Sequence, residues 1–289
     1  SRLEVLTVPP QDMYAHPWQR QQALHELRHD VQMRSMYCGF TKWMSWGLGQ
    51  QAAGLSLGLH IPLWLLEGDA VWAESVFSDA GRLRDPWFRM PLLAQWSAGR
   101  LASYEKAYLG SYRDFVPDHY ILGAAWVEAV NMHFGHDTLY HALQFAASYP
   151  FLPGAFSRGL RQATGLGLAR QYEWVRNYYA PGLSHRNDSP WHFRISGYCD
   201  EIYPAAWGEG WVYIRKQTGR NDQWIYRNSK GEEKAVYTPG YYDPASLSIC
   251  RDKIAFTEYL PDMRWEHAGR NALVLFSLQD RSLQRTFLN

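Results

Sequence analysis

The chain has 289 residues, with 29 Lys and Arg against 28 Asp and Glu, and a formal net charge of +1. That balance excludes the basic surplus of a nucleic-acid binder. With 46% hydrophobic and 20% charged residues, it also excludes a disordered chain. Three scattered cysteines (Cys38, Cys199, Cys250) are too few and odd in number for a disulfide framework or a cysteine-based metal site.

The chain begins at Ser1, without Met or a signal-peptide pattern, and reads as a processed or trimmed one. Ser1 to Val8 reads as a short, untidy strand that could pair with an extended peptide. From about Pro17 to Ala180 the pattern is helical, with apolar residues three and four apart. The clearest helices are 25–36, 62–77, 120–134 and 139–147, and Pro17 and Pro62 suit first turns. The glycine-rich stretch Gly47 to Gly58 is expected to bend or to cross a neighbour closely. Ala52 to Leu66, the longest apolar-leaning run, is interrupted and too short to span a bilayer, so no transmembrane segment is expected. Fourteen tryptophans and 16% aromatics suit thick cores, and also sugar-binding or interface surfaces.

After about Asn187 the period becomes two, and strand and hairpin signals run through 211–215, 223–227, 253–258 and 272–276. Trp224, Ile225, Tyr226 and Tyr237 align with Val274, Leu275, Phe276 and Phe287 at an offset of 50, and Val212 with Ile254 at 42. A repeat of that length with several strands per unit is the mark of propeller blades.

Chemistry concentrates in His25-Glu26-Leu27-Arg28-His29. On a helix, positions i and i+4 share a face, so both imidazoles can reach one metal ion, while Glu26 is free to take a proton from water. A zinc site of this kind needs a third protein ligand, and Glu67, in the helical stretch 62–77, is the candidate. Glu74, two helical turns further on the same face, can hydrogen-bond a ligand histidine. Gly68 and Ala70 are expected where this helix crosses the His25–His29 helix.

HELRH followed by PLWLLEGDAVWAE resembles the gluzincin zinc metallopeptidases, in the group whose second motif is W-x-x-E-G-x-A-x-x-x-E. The resemblance implies Zn2+ held by His25, His29 and Glu67, Glu26 as general base, and Glu74 as the carboxylate behind a ligand histidine. The thermolysin branch has an aspartate four residues after its ligand glutamate; Val71 stands there, which leans toward the aminopeptidase-like motif. Tyr120-x-x-Gly123 is similar to the tyrosine motif that stabilises the oxyanion in those enzymes. Tyr120 packed on the core is the other reading of that residue, and His119 a substitute for its task. His133, His136 and His141 read as structural histidines. No G-x-M-E-N-like run precedes His25, which disfavours a dedicated aminopeptidase.

The last third resembles TolB-like propeller blades, most closely over 254–288. Propellers close with roughly 4 to 8 blades and only about two fit here, so either the protein continues past Asn289 or this third is a small sheet packed on the helical part. Together the two resemblances imply an exported protein. The expected fold is α+β: a mainly helical gluzincin-type domain over 1–190, then an antiparallel β segment over 191–289 resembling incomplete propeller blades. The expected function is a zinc-dependent peptidase acting on peptide or protein substrates. The alternative is a zinc-stapled surface scaffold that recognises a glycan, envelope or protein partner.

Overall fold

The computed structural model describes residues 18–99, 102–183, 199–217, 219–265 and 268–287. The fold is α+β. Among the described residues ten α-helices come first, and two four-stranded antiparallel sheets follow. The expected strand at Ser1–Val8 and the first-turn role of Pro17 lie outside the described residues.

In the helical unit, α4 (Leu63–Val76) and α7 (His119–Phe134) form the central pair. Both are buried around most of their circumference, which is why neither carries a clean polar stripe. Pro62 sits just ahead of α4 with φ −69°, where its missing N–H costs nothing. Trp64 of α4 stacks on Trp126 of α7 with ring centroids 4.0 Å apart. Each indole N–H is satisfied, Trp64 by the Tyr104 hydroxyl and Trp126 by Gln171.

The pair approaches through glycine. A Cβ on Gly68 would fall into the backbone of Gly123, and one on Gly123 would fall onto the Trp64 carbonyl. This corrects the expectation that Gly68 serves the crossing with the His25–His29 helix. It serves the crossing with α7 instead.

That His25–His29 helix is α1 (Trp18–Ser35), which docks on α4. Its apolar positions mislead: Leu27 and Val31 are exposed, whereas Gln21, Gln32 and Ser35 are buried. The helix is held by a polar face built from Gln21, His25, Arg28, His29 and Gln32. Gly47–Gly58 becomes the end of α2 (Gly39–Leu48) and most of α3 (Gln50–His60), with the bend at Gly49, φ +59°. The bend was expected; the close crossing does not occur, since nothing lies near a Cβ added at Gly47, Gly49, Gly54 or Gly58. Helices α8 (Thr138–Ser148), α9 (Ala155–Thr164) and α10 (Leu168–Tyr179) complete the layer, with α5 (Pro86–Ser97) and α6 (Tyr104–Leu109) against α7.

In the β unit, β1 (Cys199–Trp207), β2 (Gly210–Gln217), β3 (Arg220–Arg227) and β4 (Glu233–Tyr237) form one meander. Strands β5 (Ser248–Cys250), β6 (Lys253–Leu260), β7 (Arg270–Ser277) and β8 (Leu283–Phe287) form the second. The inner hairpins repeat in register: Val212 pairs with Tyr226, and their counterparts in the repeat, Ile254 and Phe276, pair with each other. The outer strands do not keep it. Tyr237 pairs with Trp224, but Phe287 pairs with Ala272 rather than Val274: the β3–β4 pairing is already offset by one residue at Ile225 and Tyr226, and the bulge between Trp224 and Ile225 adds the second. Trp224 is buried where the sheets meet, its ring 4.8 Å from Phe256 and 5.7 Å from Phe276.

The glycine contact is testable. Gly123→Ala is expected to lower stability to urea by about 1–3 kcal/mol through overpacking, although alanine is the better helix former by about 1 kcal/mol. A raised urea midpoint would contradict this crossing.

Candidate metal centre

Helices α1 and α4 each bring two turns of side chains to one seam. His25 and His29 stand one turn apart on α1, and Glu67 faces both from α4. His25 Nε2 lies 3.1 Å from His29 Nε2 and 3.1 Å from Glu67 Oε2, and His29 Nε2 lies 3.6 Å from that same oxygen. Among the described residues this is the one group of His, Cys, Asp and Glu side chains close enough to share an ion. For bonds of about 2.0–2.1 Å, tetrahedral coordination sets ligand atoms roughly 3.3–3.4 Å apart. The three observed spacings bracket that value, so the donor set fits a first-row divalent ion. Two imidazoles and one carboxylate suit zinc, and they also suit its neighbours in the first transition row.

Each histidine is aimed from behind. His25 Nδ1–H donates to Glu74 Oε1 at 2.7 Å. Glu74 is fully buried, and its two oxygens also accept from Gln21 (2.8 Å) and from Arg82 (2.5 and 3.2 Å). His29 Nδ1–H donates to Gln32 Oε1 at 2.9 Å. The Gln32 amide is fixed in turn, donating to the Leu66 carbonyl (3.0 Å) and to Asp69 (2.7 Å). Asp69 closes the seam with a two-pronged pair to Arg28 at 2.7 and 2.9 Å. Both rings therefore carry the Nδ1 hydrogen and turn Nε2 to the centre, the atom that a ligand histidine offers to an ion once its Nε2 proton has left.

Glu26 is partly buried, one position after His25, and makes no hydrogen bond or ion pair with the described residues. Tyr120, in the first turn of α7, reaches the same place. Its ring centroid is 6.3 Å from that of His25, the Arg82 guanidinium lies 5.0 Å over its face, and its hydroxyl is hydrogen-bonded to Glu67. Burial pushes the Tyr120 hydroxyl up, and the Glu67 charge beside it adds to that, so it keeps its proton. His119 stacks beside Tyr120 at 4.5 Å. His133 and His136 lie against Trp174 and Trp72 and take no part in the group.

The structure thus brings together His25, His29, Glu67, Glu74 and Tyr120, with Glu26 adjoining on α1. Gln21, Arg28, Gln32, Asp69 and Arg82 were not singled out in the sequence. Only the buried-face spacing 21–25–28–29–32 along α1 could have signalled the first three.

With no ion bound, burial drives His25 toward the neutral form, but hydrogen bonds to Glu67 and Glu74 outweigh it and raise its pKa to about 9. His29 is raised as well: burial opposes, and Glu67 and Gln32 prevail. Burial acts to raise Glu67 and Glu74; donation from the histidines, and from Arg82 to Glu74, holds both below the usual carboxylate range. A histidine whose pKa is higher in the folded state than its unfolded 6.5 stabilises fully below that value, and the contribution is lost as pH rises toward about 9. The melting temperature of chelator-treated protein should therefore fall between about pH 6.5 and 9, and His25→Gln should flatten that slope. A melting temperature that rises across this window would contradict the pairing.

No family model, curated protein or solved structure matches this chain. Its functional reading rests on these residues and their geometry.

Proposed function

We propose that the chain is a zinc-dependent peptidase of gluzincin type, with His25, His29 and Glu67 as ligands and Glu26 as general base. The observation that carries the reading is the convergence of two imidazoles and one carboxylate, together with Glu26, which follows His25 on α1 and has no partner among the described residues. A structural ion needs no such free base.

A zinc ion held by these residues would supply Lewis acidity at the scissile carbonyl and a more acidic water. The chain's own groups do the rest. Glu26 takes the proton of the attacking water and hands it to the leaving amine, which converts a poor leaving group into a neutral one. The Tyr120 hydroxyl, shifted from Glu67, donates to the oxygen that gains negative charge. Glu74 and Gln32 keep His25 and His29 from rotating. Arg82 neutralises Glu74, so that a buried carboxylate is not left unpaired. In the same reading the β unit is a pair of propeller-like blades. Support for this comes from two consecutive four-stranded meanders whose inner hairpins repeat in register.

The test is cleavage of a diverse peptide library read by mass spectrometry. Glu26→Gln should bind metal as the wild type does and lose about 10²–10⁴-fold in turnover. Glu67→Ala should lose both metal and turnover. Full activity in Glu26→Gln would overturn the mechanism, and metal-loaded wild type without any cuts would overturn the peptidase.

A further inference from the structure

Away from the metal centre, α2 and α3 form an antiparallel helical hairpin. Its root is pinned where Thr41 bonds to Ser56 and to the Ala147 carbonyl, and it turns at Gly49. Beyond the root the hairpin shows large apolar side chains to solvent. Trp46 is 78% exposed and Leu59 65%, and Trp43, Leu48 and Leu55 are also more than half exposed. Phe151, 75% exposed, continues the surface, with its ring 4.7 Å from Phe40, which in turn lies 5.1 Å from Trp43. Singly exposed leucines need no explanation, but this many in one short hairpin do.

Charge is unevenly distributed in the same part of the unit, where the exposed Asp137 at the head of α8 is followed by an acid-free stretch. Helices α2 and α3 pack on α8, and α8 packs on α9. Residues 31–66 and 138–172, which contain all four, include no Asp or Glu, although acids and bases are balanced over the whole chain. The basic residues there include Lys42, Arg158 and Arg161, all exposed and none ion-paired among the described residues. A surface for a soluble protein partner typically surrounds its apolar centre with a polar rim and ordered water. One that joins tryptophan and leucine to unopposed positive charge is instead complementary to a bilayer with anionic headgroups.

We propose that the α2–α3 hairpin seats this chain on an anionic lipid bilayer, with Trp43, Trp46, Leu55 and Leu59 entering the headgroup region. Helices of 10 and 11 residues are roughly 15 Å long at 1.5 Å per residue, half of a hydrocarbon core, so the hairpin lies in the interface and does not cross. Lys42, Arg158 and Arg161 meet the phosphates, and the tryptophan rings sit at headgroup depth. This surface requires nothing of the metal centre, and it stands whether or not the chain is a peptidase.

The experiment is flotation of the full chain with vesicles of phosphatidylcholine and phosphatidylglycerol, and with vesicles of phosphatidylcholine alone. The wild type should float with the mixed vesicles and bind the neutral ones roughly tenfold or more weakly. Trp46→Glu combined with Leu55→Glu should lose binding by a similar factor while keeping the wild-type circular dichroism. Lys42→Glu with Arg161→Glu, which leaves the apolar residues in place, should weaken binding at low salt. Three results would overturn the proposal: wild type that stays with neither vesicle, unchanged binding in the Trp46–Leu55 variant, or a wild-type dimer that this variant dissociates. Equal binding to neutral and mixed vesicles would overturn the role of charge.

Discussion

The polar seam between α1 and α4 is the contact on which the rest of the site depends. A helix ordinarily docks by burying an apolar stripe, and α1 has one in Leu27 and Val31, yet both face solvent. The docked face consists of Gln21, His25, Arg28, His29 and Gln32, and every one of them reaches a side chain or carbonyl of α4. Buried polar groups cost free energy unless each finds a partner, so such a seam tolerates little slippage. That intolerance is useful at a metal site. The positions of Nε2 of His25 and His29 are set by hydrogen bonds on the far side of each ring, before any ion binds.

The second constraint is the glycine contact between α4 and α7. Because Gly68 and Gly123 let the two backbones touch, the first turn of α7 arrives beside Glu67, and Tyr120 with it. Gly68, which follows Glu67, therefore shapes the candidate site through its contact with α7. Arg82 links the two arrangements: it neutralises Glu74 behind His25 and lies over the face of Tyr120. Stability and site geometry share the same few residues. A change at the helix crossing should be felt at the candidate catalytic groups as well as in the melting curve.

What was legible in the sequence was whatever follows from a repeat along one element. The i, i+4 spacing of His25 and His29, and the two-turn step from Glu67 to Glu74, follow from helix geometry alone, and the structure brings these four together. The paired inner strands of the sheets were legible through period two and through the offsets of 42 and 50 that relate one inner hairpin to the other. The rest depends on pairing between distant segments. Gln32 and Asp69, or Glu74 and Arg82, have no periodic relation, and nothing local marks them as partners. The apolar pattern of α1 pointed to the wrong face because polar contacts, with Met33 packed beside them, hold that helix. Strand β1 was obscured by Pro204 and by the break in pairing between Ile202 and Ala205, and β5 is only three residues long.

We propose that two imidazoles and one carboxylate of this chain hold one metal ion. Zinc K-edge X-ray absorption of the full chain loaded with one equivalent of Zn2+ tests it most directly. The expected spectrum shows a shell of nitrogen and oxygen ligands at about 2.0–2.1 Å with the multiple-scattering signature of two imidazoles, which collapses in His29→Ala. A sulfur shell at about 2.3 Å, a shell without imidazole, or a spectrum unchanged in His29→Ala would contradict it.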